Sequence, residues 1–389
     1  MTPQDLLKGI ENLISVNPLF TGKDLNLFVI ANEKAGGFTQ TKESEKNQVS
    51  LDKVLKQVEG KETVTASITS ELVGTERAGH GEELAAKIAA GVQPEKNRLT
   101  VIVAAGGDGT SLEVQTGLTK WANESESNKK IVQNDIVIFR LPLGTGNDGT
   151  DGHTFEESLN VLTMSLHFAN ARAIKLSVSG EVTEEGIKEA GKNPADYGNV
   201  EVKAPWYSFN VAGIGLDAFV CWKTNEEKAK HPGNHYSIMV DFATLNYNKA
   251  FPPEDAEIKI YDGDELKETL NTAFEMLTFG VSGHRTFGGG KQIFPVDDNV
   301  ACVCKLDVMT MVMQNKKFND GSYIKTELAK TCKATKLVVN YDHPVLCELD
   351  GETHLLMKEN FPVTLELTEP CIQVLERDDL EWSRGAERK

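Results

Sequence analysis

The first part of the chain alternates between apolar stretches of two kinds. Apolar positions recur at helical spacing in residues 5–16 and Glu82–Ala90. Short, mostly apolar runs that suit buried strands occur at Leu25–Ala31, Val101–Ala105 and Ile136–Phe139. Alternating helices and strands indicate a parallel sheet with helices on its faces, and ligands of such folds bind beyond the carboxyl ends of the strands. We therefore predict an α/β nucleotide-binding domain with a parallel sheet at the N-terminus.

The second part of the chain is dominated by short β-rich runs, which are typical of an antiparallel sandwich-like or barrel-like domain. The runs are Ala173–Val178, Val200–Val202, Trp206–Val211, Glu257–Tyr261, Ala273–Val281, Cys302–Val312, Lys336–Tyr341 and Val363–Leu367. We predict an α/β domain over residues 1–165 and a β-rich domain over 166–389. Whether the C-terminal segment returns to the first domain is left open.

Three segments interrupt these patterns. Asn123–Lys130 is polar and is predicted to be a surface loop. Glu181–Ala204 is a polar, charged insertion in the β-rich part, and Val220–Phe251 has a largely helical pattern.

Composition and charge exclude several classes of protein. A net charge of −17 over 389 residues argues against a nucleic-acid-binding protein, which needs a basic surface for phosphate contacts. No apolar stretch approaches the roughly 20 residues that cross a bilayer. The six cysteines form no CxxC pair, which favours reduced thiols and a cytoplasmic location. A peripheral position at a membrane and a homo-oligomer both stay open.

The strongest candidate site is the sequence Gly106-Gly107-Asp108-Gly109-Thr110, which follows a strand-like run and precedes the pattern of a helix. Glycines at such a junction bring backbone N–H groups and the positive end of a helix dipole toward an anion. A second junction of the same kind follows at Ile136–Phe139, where Leu143–Asp148 supplies the loop. Two such loops in series predict a nucleotide phosphate site, with Asp108 suited to Mg²⁺ through its carboxylate or a bound water.

Two further glycine patterns match the residues of the dinucleotide-binding motif but lack its structural context. Gly144, Gly146 and Gly149 fit GxGxxG, and Gly213, Gly215 and Ala218 fit GxGxxA. The first lacks a convincing acidic residue for a ribose after the next strand, and the second lies in the β-rich part. We interpret both as incidental to dehydrogenase chemistry.

The order of the motifs along the chain resembles the diacylglycerol kinase and sphingosine kinase catalytic family, including its bacterial soluble lipid kinases. The series runs from Asn32–Gly36 through Gly106–Thr110 and Leu143–Asp148 to Asp350-Gly351-Glu352. The resemblance implies an ATP- and Mg²⁺-dependent kinase with an α/β nucleotide domain and a β-rich domain for the acceptor. It also implies a lipid substrate at or from a membrane.

The resemblance assigns roles residue by residue. It implies that Glu352 is the catalytic base and that Asp108 takes part in catalysis and holds the metal. It implies that the nucleotide is bound by Asn32, Ala35, Gly36, Thr75, Gly106, Gly107, Asp108, Gly109, Thr110, Thr145 and Asp148. Phosphoryl transfer needs the same parts, namely positioned donors, a metal, and a carboxylate for the proton of the attacking hydroxyl.

The function predicted from these residues is transfer of the γ-phosphate of ATP to a lipid hydroxyl, with diacylglycerol or a related lipid as acceptor. An NAD kinase is one alternative, since it shares the glycine–aspartate loop. A nucleotide-binding regulatory protein without catalysis is another. Two departures from the family pattern motivate it. Leu112 stands where the family usually has asparagine, and Asp297-Asp298-Asn299 with Asp307 is not the family's acidic metal pair.

Overall fold

The computed structural model describes residues 1–144, 149, 151–152, 154–180, 204–230, 235–287, 291–295 and 297–379. The chain divides into two compact units. Unit 1 contains Met1–Arg172 and a return segment that starts at Glu369, and unit 2 contains Ala173–Thr368.

Unit 1 alternates helices and strands over most of its length. Its elements are α1 (Pro3–Ser15), β1 (Asp24–Ala31), α2 (Gly36–Thr39), α3 (Thr41–Val58), β2 (Ser67–Gly74), α4 (His80–Gly91), β3 (Arg98–Gly106), α5 (Asp108–Ala122), α6 (Glu126–Asn134), β4 (Ile136–Pro142), α7 (Phe155–Val161), β5 (Leu166–Ala171) and β19 (Ile372–Arg377), with a 3₁₀ turn at Pro18–Phe20.

The six strands of unit 1 form one sheet in the order β2-β1-β3-β4-β19-β5. The pairs among β2, β1, β3, β4 and β19 are parallel, and only the pair of β19 with β5 is antiparallel among the described strands. All seven residues of β4 are buried, as expected for a central strand covered on both faces. The predicted parallel α/β fold of the N-terminal part is confirmed.

Polar caps explain where several helices begin. Thr2 and Asp5 form a reciprocal capping box at the start of α1, where Pro3 occupies a position that needs no N–H partner. The loop predicted over Asn123–Lys130 is wrong in its second half, because α6 begins at Glu126. The Oγ of Ser125 accepts a hydrogen bond from the N–H of Asn128 at 3.1 Å and so starts this helix.

Unit 2 contains mainly strands. They are β6 (Ile174–Ser177), β7 (Trp206–Ser208), β8 (Val211–Gly215), β9 (Asp255–Asp262), β10 (Glu265–Gly280), β11 (Thr286–Phe287), β12 (Lys291–Gln292), β13 (Val300–Cys304), β14 (Ala329–Cys332), β15 (Lys336–Asn340), β16 (Val345–Leu349), β17 (Glu352–Leu356) and β18 (Val363–Leu367). The helices are α8 (Leu216–Lys230), α9 (Tyr236–Ala250) and α10 (Val308–Asp320), with 3₁₀ turns at Ser322–Lys325 and Lys358–Asn360.

Eleven of these strands form one sheet in the order β17-β16-β8-β10-β9-β15-β18-β6-β7, with β13 paired to β10 and β14 paired to β13. Each pair in it is antiparallel, and the long strand β10 contacts β9 with its first half and β8 and β13 with its second. The predicted antiparallel, β-rich fold of this part is confirmed. The helical pattern of Val220–Phe251 corresponds to α8 and α9.

The strand predicted over Cys302–Val312 is wrong in its second half. β13 ends at Cys304, and α10 begins at Val308. The carboxylate of Asp307 caps this helix, because its Oδ1 accepts a hydrogen bond from the N–H of Thr310 at 2.9 Å. The predicted strand Val200–Val202 lies outside the described residues.

Two absences apply to the described part of the chain. No disulfide joins the six cysteines, all of which fall within it. None of its helices combines the length and the apolar character needed to cross a membrane.

Candidate functional site

The carboxyl edge of the sheet in unit 1 collects the loops that the sequence predicts to bind a nucleotide. β2, β1, β3 and β4 are neighbours and run in parallel, so their carboxyl ends lie along one edge. Thr75, Asn32, Gly107 and Leu143 directly follow these four strands. The topology therefore brings together residues that are far apart in the sequence.

Backbone hydrogen bonds extend the sheet into these loops. The N–H of Asn32 donates to the carbonyl of Ala105 at 2.9 Å, and the N–H of Thr75 donates to that of Ala31 at 2.9 Å. The N–H of Leu143 donates to the carbonyl of Gly106 at 2.7 Å. The starts of the three loops are consequently fixed by the strands themselves.

The loop after β1 is a compact turn into α2. The Oδ1 of Asn32 accepts a hydrogen bond from the N–H of Lys34 at 3.1 Å, and Ala35 and Gly36 lead into the short helix. The N–H of Gly37 donates to the carbonyl of Leu143 at 2.9 Å, and a Cβ at Gly37 would lie 2.6 Å from the Leu143 side chain. A glycine is therefore required where this loop touches the loop after β4.

The loop after β3 has the features of an anion site. A Cβ at Gly106 would lie 2.3 Å from the Oγ1 of Thr110, so a side chain is excluded there. Gly107 occupies the N-cap of α5 and supplies no side-chain cap, and Asp108, Gly109 and Thr110 form the first turn at the positive end of this 15-residue helix.

Asp108 connects this loop to the end of the next one. It is half-buried, and its Oδ1 accepts a hydrogen bond from the N–H of Gly149 at 3.2 Å. Thr145 and Asp148, the other two predicted nucleotide contacts, lie outside the described residues.

A buried ion pair anchors the same loop and was missed by sequence reasoning. The side chains of Arg140 in β4 and Asp151 are 5% and 3% exposed, and Arg140 Nη2 lies 2.6 Å from Asp151 Oδ1. Asp151 Oδ2 also accepts from the Nε of Arg140 at 3.2 Å and from its backbone N–H at 2.6 Å. Gln115 Oε1 accepts from Nη1 of Arg140 at 3.3 Å and so ties the pair to α5.

The N-terminus of α4 shows the opposite arrangement from that of α5. Glu113 of α5 accepts hydrogen bonds from the N–H groups of Gly79 and Gly81 at 2.7 and 2.9 Å. The Nδ1 of His80 accepts from the N–H of Glu76 at 3.1 Å. Because a carboxylate of the chain already occupies this helix end, His80 lies at a helix start that offers no site for a further anion. Sequence reasoning also missed Glu113.

The candidate metal residues fall into two groups. Asp108 offers one carboxylate beside the N-terminus of α5, and a single carboxylate with phosphate oxygens is a donor set that Mg²⁺ uses. Asn299, by contrast, donates through its buried amide to the carbonyls of Gly280 and Ala334, both at 3.0 Å, and Asp307 caps α10. The described residues contain no cluster of three or more His, Cys, Asp or Glu side chains suited to a metal.

Glu352 lies in unit 2, at the start of β17. Asp350 and Gly351 have φ angles of 50° and 89° and form the two-residue turn between β16 and β17. Leu349 and Glu352 face each other across this turn, and Glu352 is exposed. Its carboxylate is thus held at the tip of a hairpin.

Asp350 fixes the hairpin to β7 and β8. Its carboxylate accepts hydrogen bonds from the Oγ of Ser208 at 2.6 Å and from the N–H groups of Phe209, Asn210 and Val211 at 2.7–3.0 Å. Burial raises the pKa of Asp350, although these four hydrogen bonds favour the carboxylate. The turn that carries Glu352 is therefore held at a defined place on unit 2.

Unit 2 also contains an open cavity with mainly apolar walls, and its empty volume of about 520 Å³ includes space that is open to solvent. Val240, Met276, Ile293 and Phe318 supply apolar lining, and Asp217 of α8 is among its few polar groups. Asp217 Oδ1 accepts from the N–H of Ala218 at 2.8 Å, whereas its buried Oδ2 has no hydrogen-bond partner in the described part of the chain. Burial raises the pKa of Asp217 to about 7. Sequence reasoning did not single out this residue.

A comparison with known protein families finds a match over the part of the chain that forms the sheet edge of unit 1. Residues 26–178 match the model for the diacylglycerol kinase catalytic domain. The match spans β1 to β6 and therefore includes the four loops at the sheet edge of unit 1, but not the hairpin of Glu352. No curated protein matches the chain.

Solved structures resemble the whole chain. A crystal structure of a presumed diacylglycerol kinase from Bacillus anthracis str. Sterne is 16% identical, covers 90% of this chain and 96% of its own, and has a TM-score of 0.54. A crystal structure of a diacylglycerol kinase from the same organism is 14% identical, with coverage of 90% and 96% and a TM-score of 0.51. At these identities the likeness shows a shared two-unit fold.

Proposed function

Since the chain belongs to the diacylglycerol kinase catalytic family through residues 26–178, we propose that it transfers the γ-phosphate of ATP to the hydroxyl of a lipid. Diacylglycerol or a related lipid is the proposed acceptor. The observation that carries the proposal is the convergence of four loops at one sheet edge, where the positive end of α5 begins at Asp108.

The edge of unit 1 is proposed to bind the nucleotide. The N–H groups at the start of α5 would donate to phosphate oxygens, and the glycines at 106 and 107 would let the phosphates approach the backbone. Asn32, Ala35, Gly36 and Thr75 would contact the rest of the nucleotide, together with Thr145 and Asp148. Asp108 would hold Mg²⁺, which supplies neutralisation of phosphate charge when bound.

Unit 2 is proposed to supply the acceptor site and the base. The apolar cavity suits a lipid chain, with Asp217 as a polar group for the head of the molecule. Glu352, exposed at its fixed hairpin, would accept the proton of the attacking hydroxyl. Each carboxylate therefore has a separate task.

The experiment is a phosphate-transfer assay with ATP labelled at the γ-phosphate and a panel of lipid acceptors. Glu352→Gln is expected to lower the transfer rate about a thousandfold while ATP binding persists, because only proton transfer is removed. Asp108→Asn is expected to lose a similar factor and to change the Mg²⁺ dependence. Glu366→Gln is the control, because Glu366 is 40% exposed and pairs with Lys175 in the same unit.

The same assay separates the alternatives. A labelled product from NAD but from no lipid would identify an NAD kinase. ATP binding without any labelled product would identify a regulatory protein. A wild-type rate in Glu352→Gln would contradict its assignment as the base.

A further inference from the structure

Helix α9 exposes an apolar stripe. Ile238, Phe242 and Leu245 are 61%, 42% and 51% exposed. Their spacing of four and three residues places them on one face of the helix. The opposite side of α9 is buried through Val240, Ala243 and Tyr247.

Helix α10, which packs beside α9, exposes a second set of apolar side chains. Val308, Met309, Val312 and Met313 are 46%, 67%, 43% and 65% exposed, and residues 308–315 include no charged residue. We call these four side chains, together with Ile238, Phe242 and Leu245, the apolar face. Such a face stands out on a chain in which 25% of residues are charged. Large exposed apolar patches on soluble proteins mark interaction sites.

The two helices are held side by side by hydrogen bonds. Asp241 Oδ1 accepts from Nδ2 of Asn315 at 2.7 Å and from Nδ2 of Asn319 at 2.8 Å. Asp241 is the acidic residue of α9, and its charge is directed to these amides of α10. The face is therefore built on a rigid helix pair.

The same helix pair lines the apolar cavity of unit 2. Tyr236 and Val240 of α9 and Phe318 of α10 contribute to its wall. One pair of helices consequently carries an exposed apolar face and part of the wall of the proposed acceptor cavity. The face and the cavity wall lie on different sides of α9, because Val240 belongs to its buried side.

Because one helix pair carries both features, we propose that the apolar face inserts into the surface of a lipid bilayer. This inference rests on the proposed function, because membrane binding would serve a cavity that accepts a lipid substrate. The seven side chains carry no charge and no N–H or O–H donor, which suits hydrocarbon. The face has none of the Trp, Tyr and Arg side chains that dominate the binding energy of protein interfaces, although Phe and Met also occur in such interfaces.

The negative net charge of the chain favours apolar over electrostatic binding to a membrane. A net charge of −17 opposes attraction to anionic lipid. Binding through the apolar face is therefore expected on vesicles of phosphatidylcholine alone, and it should persist when the salt concentration rises.

The test is flotation of the full chain with phosphatidylcholine vesicles, without ATP. Wild-type chain is expected to float at low and high salt. Met309→Asp with Met313→Asp is expected to lower the partition coefficient about tenfold or more, because two charges would enter the interface. Val49→Asp and Leu266→Asp are controls, since Val49 and Leu266 are 67% and 48% exposed but lie on α3 and β10.

Three outcomes would overturn the proposal: no flotation of the wild type, equal flotation of the double variant, or flotation that disappears at high salt. A change in oligomeric state caused by Met309→Asp with Met313→Asp, with unchanged flotation, would assign the face to a second copy of the chain. Phosphate transfer to short-chain diacylglycerol in detergent micelles tests the catalytic proposal separately. The double variant should retain that activity.

Discussion

The β3–α5 junction of unit 1 and the β8–α8 junction of unit 2 are built from the same kinds of residue. In each, a buried strand passes through glycine into a helix with an aspartate in its first turn, namely Asp108 or Asp217. Their neighbours differ. β3 runs parallel to β1 and β4, so the loops of all three meet at one edge. β8 runs antiparallel to β10 and β16, so the neighbouring strands end elsewhere.

The difference determines what each aspartate can do. Asp108 is half-buried beside the uncapped start of α5, where other loops converge. The Asp217 carboxylate folds back over its own strand and packs on Gly213. A Cβ at Gly213 would lie only 1.8 Å from Asp217 Oδ2. Local sequence therefore predicts the shape of a junction, whereas the direction of the neighbouring strands determines whether several loops can share a ligand.

The largest stability effect is expected at the buried ion pair beside the first junction. Asp151→Ala leaves the guanidinium and the backbone N–H of Arg140 without this carboxylate, which should cost about 3–5 kcal/mol. Unfolding by urea measures the change.

Glu156→Ala is the matched control. Glu156 pairs with Lys53 at the surface, where the two side chains are 33% and 63% exposed. Such a pair contributes no more than about 1 kcal/mol. Equal losses in the two variants would show that Asp151 does not anchor the loop.

A smaller effect is expected from an added methyl group at the second junction. Gly213→Ala forces the Asp217 carboxylate away from its place, which should lower the free energy of unfolding by about 1–3 kcal/mol. The comparable change Gly107→Ala should cost less than about 1 kcal/mol, because its Cβ would lie 3.4 Å from Gly144.

A double-mutant cycle identifies the cause. In an Asp217→Ala background, the carboxylate that meets the new methyl group is absent, so Gly213→Ala should cost less. An undiminished cost would assign the effect to other contacts of Gly213.

Short-range patterns made much of the fold and part of the site predictable. The strand–glycine–helix pattern around Gly106 and the Asp350-Gly351 turn depend on residues that are adjacent in sequence, and both lie where the patterns indicate. The interpretation of Gly213 as incidental to dinucleotide binding has a structural basis in its packing against Asp217.

Long-range partners account for what was missed. Arg140 with Asp151, and Glu113 with the start of α4, depend on which charges the fold buries, and no periodicity encodes that choice. The strand predicted over Cys302–Val312 illustrates a different failure, because a short apolar run suits either a strand or a helix. Asp307 followed by Thr310 was the available signal for a helix start.

The smallest expected effect, and the sharpest contrast between the junctions, concerns pH. Burial raises the pKa of Asp217 to about 7 in the folded chain, from 3.8 when exposed. Below pH 3.8 both folded and unfolded chains are protonated there. As the pH rises to about 7 the unfolded chain releases its proton first, so folding loses stability.

Asp217→Asn keeps the shape of the side chain and removes this titration. Its Tm should exceed that of the wild type by a few degrees at pH 8, and the difference should shrink toward pH 4. Asp307→Asn should produce no such gain, because hydrogen bonds from Thr310 lower the pKa of Asp307. A pH-independent difference for Asp217→Asn would mean that the Asp217 carboxylate is solvated or paired in the folded chain, and the two junctions would then differ in strand direction alone.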